Sequence, residues 1–89
     1  MISVKKTDLI FISKLELKMK WIAEKKYDEK SSLYWILKIK TENKETNFFE
    51  DGVFTAYRGE PRQFKNINAI ISLLEEVFEN KKVSLKVRL

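Results

Sequence analysis

DLIFISKLELKMKWIA, residues 8–23, admits two folds, and the choice between them decides the architecture. From Leu15 to Trp21 apolar and charged residues alternate without a break. Leu15, Leu17, Met19 and Trp21 share one parity; Glu16, Lys18 and Lys20 share the other. Period-two alternation is the pattern of a strand with one buried face. The rival is a helix over 8–23, because Ile12, Leu15, Met19 and Ile22 also fall on one helical stripe. The strand is the preferred reading. It puts Ile10 and Ile12 on the wrong parity, so a bulge or break is expected near Ser13-Lys14.

Working outward, Lys25-Lys26-Tyr27-Asp28-Glu29-Lys30-Ser31-Ser32 reads as a loop. Leu33 to Lys40 alternates again, with Leu33, Trp35, Leu37 and Ile39 inward and Tyr34, Ile36, Lys38 and Lys40 outward. Glu42-Asn43-Lys44-Glu45 reads as a turn into a short segment holding Phe48 and Phe49. Asp51-Gly52 is a further turn signal, ahead of a strand from Val53 to Arg58. These segments form an antiparallel meander.

A helix follows. Ile67, Ile70, Ile71, Leu74, Val77 and Phe78 make one apolar stripe at helical spacing. Asn66 is the expected N-cap, and Asn80 with Lys81-Lys82 suits the C-terminal end. Val83 to Leu89 alternates to the end, with Ser84, Lys86 and Arg88 outward. The expected class is therefore α+β, one domain over 1–89. It has an antiparallel sheet of three to five strands, one amphipathic helix on one face, and the order β-β-β-α-β.

Composition narrows function mainly by exclusion. The 89 residues are 44% hydrophobic and 35% charged, with a net charge of +5, no cysteine and no histidine. The usual general base, the thiolate nucleophile and nearly every zinc or iron site are thereby removed. The serines lack an elbow or SxxK context, no Gly-rich phosphate cradle is present, and Glu50-Asp51 beside Gly52 reads as a hairpin turn rather than a magnesium site. No enzymatic activity, cofactor or metal is expected. No apolar run approaches the roughly 20 residues of a membrane helix. The expected location is cytoplasmic, with which the absence of cysteine agrees.

One helix covers one face of a sheet, so the other must meet solvent or a partner. Six of its ten outward positions on the three best strands are Lys or Arg. The nucleic-acid-binding candidates are Lys18, Lys20, Tyr34, Lys38, Lys40, Lys86 and Arg88, the tyrosine to stack on a base and the cations to neutralise phosphates. The opposing reading is that solvent-facing strand positions are often lysine, which also blunts edge pairing. Candidates for a protein contact or a homodimer are Ile36, Phe48, Glu75, Glu76 and Glu79. Adjacent Phe48 and Phe49 cannot both face inward, and the three glutamates share the helix's outer side.

Arg58-Gly59-Glu60-Pro61-Arg62 precedes the helix. Gly59 can take positive φ, Pro61 fixes the chain and ends ladder pairing, and Phe64 anchors the return beneath the first helical turn. Arg58 and Arg62 flank the turn as candidates to hold an anion or a carboxylate. Phe54 to Lys65, followed by a short amphipathic helix and a terminal strand, resembles small proteins of conjugative plasmids and integrative elements, among them ParC-type plasmid partition proteins. The resemblance covers residues 54–89 and centres on R-G-x-P-R-x-F. Where that group usually ends its helix with glycine, this chain has Asn80-Lys81-Lys82. The resemblance implies an accessory, non-enzymatic role in maintaining a mobile element and assigns no catalytic residue. The expected function is binding of DNA, or of a DNA-bound protein, through the basic sheet face. The alternative is a protein-interaction module or inhibitor of a host defence complex.

Overall fold

The computed structural model describes residues 2–14, 19–43, 48–56, 59–79 and 83–89. The elements are β1 (Ile2–Val4), α1 (Lys6–Ser13), β2 (Met19–Tyr27), β3 (Leu33–Asn43), β4 (Phe48–Phe54), α2 (Ile67–Val77) and β5 (Leu85–Arg88). They build one five-stranded sheet in the order β1-β4-β3-β2-β5. The α+β class is as expected, and β2, β3 and β4 form the antiparallel meander. The sheet is nevertheless mixed: β1 joins β4 and β5 joins β2, both in parallel. Among the described residues there are two helices, and the order is β-α-β-β-β-α-β.

Parallel neighbours cannot be joined by a hairpin, so a helix must carry the chain over the sheet. The units β1-α1-β2 and β4-α2-β5 each cross two intervening strands and advance in the same direction along the sheet. With right-handed crossovers, that places both helices on one face. Leu9 of α1 and Ile70 and Leu74 of α2 accordingly join one core, and Lys6 meets Glu76 across the two helices at 2.7 Å.

Residues 8–23 divide between the two readings. Lys6–Ser13 is helical, so the break expected at Ser13-Lys14 is a helix end rather than a bulge. The strand begins at Met19 and runs through Lys25-Lys26-Tyr27, which the sequence reads as loop. These three residues become strand because each has a partner on β3: Trp35, Tyr34 and Leu33. The turn proper is shorter. Asp28 closes it, its Oδ1 accepting from the backbone N–H of Lys30 at 2.8 Å and of Ser32 at 2.9 Å. Leu15, Glu16, Leu17 and Lys18 lie outside the described residues.

Asp51-Gly52 is not a turn. It lies within β4, where Gly52 pairs with Ile39 on one side and Ile2 on the other. Ladders on both sides override a local turn preference. The strand expected to reach Arg58 ends at Phe54.

α2 matches its expectation at the N-terminus, where Asn66 Oδ1 accepts from Ala69 N at 3.0 Å. Its stripe needs one correction. Ile70 and Leu74 are buried, whereas Ile71 is 38% exposed and Leu73 packs against the core in its place. Asn80, Lys81 and Lys82 lie outside the described residues. Both tryptophans are core residues: Trp21 meets Phe78 edge-on at 5.1 Å, and Trp35 is buried.

Gly59 takes φ +80°, and a Cβ there would meet nothing within 4 Å, so the need for glycine is conformational rather than steric. Pro61 does not end pairing. It bridges Thr55, with Arg62 N donating to Phe54 O at 2.9 Å. The return then pairs Phe64 with Trp35 through two hydrogen bonds of 2.8 Å, which seats the Phe64 ring in the core.

Candidate nucleic-acid interface

With both helices on one side, the opposite face of the sheet carries no helix among the described residues. The register fixes its occupants. Lys20 pairs with Lys40 and Lys40 with Asp51; Ile22 pairs with Lys38 and Lys86, and Lys38 also with Val53. Glu24 pairs with Ile36 and Arg88, and Lys26 with Tyr34. The structure thus brings Lys20, Tyr34, Lys38, Lys40, Lys86 and Arg88 together as expected, and adds Lys26. Neighbouring positions stand about 4.8 Å apart across strands and about 6.8 Å apart along them.

Ile22, Ile36 and Val53 are buried on this face although no helix lies over it. Ile22 and Val53 have lysine as register partner, and Ile36 has Glu24. Lysine lays its aliphatic stem over apolar surface and keeps its charge in water. The surface is therefore a charged layer over a thin apolar floor. Ile36, expected as an exposed protein contact, belongs to that floor at 8% exposure.

Glu24 organises the layer. Its carboxylate is nearly buried and receives Lys26 Nζ at 2.7 Å, Lys38 Nζ at 2.9 Å and Arg88 Nη1 at 3.5 Å. The hydrogen bonds from Lys26 and then Lys38 hold its pKa down, from 4.5 to about 2, against the opposing effect of burial. A carboxylate depressed in the folded state stabilises it fully above the unfolded pKa, and that stability is lost as pH falls from about 5 towards 2. The whole shift corresponds to about 3 kcal/mol. Lys26 and Arg88 are nearly half exposed, so screening reduces it to about 1–2 kcal/mol. Glu24→Gln is expected to lower the urea midpoint at pH 7, with a deficit that shrinks sharply by pH 2. An equal deficit at both pH values would show that the charge of Glu24 is not what stabilises.

The remaining candidates sit elsewhere. Arg62 is on the helix side, lining a groove with residues of α1 and α2, its guanidinium 5.5 Å from the Phe64 ring centre. Lys18 and Arg58 lie outside the described residues, as does the side chain of Phe48. Glu75 and Glu76 on α2 and Glu79 just beyond it are exposed, but Glu76 is held by Lys6. Among the described residues no cluster of His, Cys, Asp or Glu is arranged to hold a metal, and no helix is long and apolar enough to cross a membrane. Sequence reasoning missed Lys26 and Glu24. Extending the alternation of β2 past Ile22 would have put Glu24 and Lys26 on the same face as Lys20. Compared with known proteins, the chain matches no described family, no curated protein and no solved structure.

Proposed function

We propose that the protein is a non-enzymatic binding factor that grips the phosphate backbone of DNA with the helix-free face of its sheet. The observation behind this reading is the balance of charge there. Among the described side chains, Lys20, Lys26, Lys38, Lys40, Lys86 and Arg88 stand against Glu24 and Asp51, six cations to two carboxylates. The sheet also offers Tyr34, half-buried beside Lys26, as a stacking surface. The contacts are to phosphate and ring faces, so the binding is weakly dependent on sequence. The resemblance of residues 54–89 to plasmid and integrative-element proteins supports an accessory role in maintaining a mobile element, with a cytoplasmic site of action.

Fluorescence anisotropy with labelled double- and single-stranded DNA at two salt concentrations tests this. With four to five phosphates neutralised, log K for the duplex should fall with log salt at a slope of about −4. No binding at low salt would discard the reading. It would leave the protein-interaction module or host-complex inhibitor, which Phe11 at 65% and Ile10 at 42% exposure on α1 favour.

A further inference from the structure

On the opposite side of the molecule, a groove of about 780 Å³ opens where the first turn of α1 diverges from α2. Its floor includes Phe54, Phe64 and Leu73, and its rim carries Lys5, Lys6 and Arg62. Phe54 and Phe64 are core rings, 6.0 Å apart, so the groove reaches down to the core rather than resting on surface side chains. The size falls within the range of pockets that enclose a small organic ligand.

The charge is one-sided. Among the described residues Glu76 is the one carboxylate lining the groove, and it is occupied by Lys6 at 2.7 Å. Arg62 forms no ion pair with any described residue and rests over the Phe64 ring. A guanidinium beside an aromatic ring and without an ionic partner among the described residues suits a carboxylate or sulfonate, which its planar donors can grip bidentately.

We infer that the groove is a binding site for a small amphiphilic anion, an aromatic or alkyl chain ending in a carboxylate or sulfonate. The chain lies on Phe54, Phe64 and Leu73, and the head meets Arg62. This site is independent of the DNA-binding reading, being built on the helix side from residues that the sheet-face cations do not include.

The probe is 1-anilinonaphthalene-8-sulfonate, which has an aromatic body and a single anionic head. It should bind the wild-type protein saturably at one site with blue-shifted emission. Decanoate should displace it, and decyltrimethylammonium should not. Ala69→Trp fills the groove from an exposed helical position and should weaken dye binding at least tenfold; Arg62→Glu should do the same by reversing the head contact. Glu29→Gln, in the exposed turn between β2 and β3, should leave dye binding unchanged. Absent or non-saturable binding, or full binding retained in both groove variants, would overturn the proposal. Equal displacement by the cationic amphiphile would overturn its choice of charge.

Discussion

Ile70→Ala should lower the free energy of unfolding by about 2–5 kcal/mol, read as a lower denaturant midpoint at unchanged slope. Ile70 is fully enclosed in the core that α2 shares with Leu9, Leu37 and Ile39, all of them 0–1% exposed. Truncating it removes the transfer energy of the deleted carbons and leaves a cavity, because helix and sheet cannot both collapse into the gap. Total stability in a domain of this size is expected at the lower end of 5–15 kcal/mol, so a large fraction is at stake. The control is one residue away. Ile71 is 38% exposed, and Ile71→Ala should cost less than about 1 kcal/mol. Equal costs at the two positions would mean that α2 is docked through a different face.

The triple substitution Lys20→Glu, Lys40→Glu, Lys86→Glu should abolish DNA binding while preserving the fold. These three positions are spread over β2, β3 and β5 and stand outside the group held by Glu24. Reversing them turns a face with four excess cations into one with two excess carboxylates. A polyanion that was attracted is then repelled, and affinity in the anisotropy assay should fall at least a hundredfold. The single neutral variant Lys86→Gln gives a graded check, since each lost phosphate contact should reduce the salt slope by about 0.9. Undiminished binding by a folded triple variant would remove the sheet face from consideration.

Much of this arrangement can be read from local pattern. Asn66 and the helical stripe locate α2, the alternation orients β3 through Trp35, Leu37 and Ile39, though Leu33 is exposed and Ile36 buried, and both tryptophans fall on the buried parity. Elements whose existence depends on distant partners are another matter. β1 is three residues long and acquires its identity only by lying along β4. Lys25-Lys26-Tyr27 is too polar to announce a strand; the hairpin to β3 makes it one. Asp51-Gly52 has the strongest turn signature in the chain and is held straight by neighbours on either side. Glu24 is the same lesson in the candidate site. Its partners Lys38 and Arg88 belong to other strands, so no spacing along the chain reveals the cluster before the register is known.

The interleaved crossovers impose an order on assembly. The hairpin of β2 and β3 closes over a five-residue turn, at little cost in chain freedom. Ile2 must instead find Gly52, and Trp21 must find Leu85, each closure enclosing a large share of the chain. Non-local pairings of this kind slow folding, because their entropy is lost before their contacts form. The meander is therefore the natural nucleus, with the first and last strands added afterwards. These late edges are also the two strands with one side of their backbone unpaired. Amide exchange should be fastest along them and slowest in β3, so that the protein frays from its two chain ends inward while its centre remains closed.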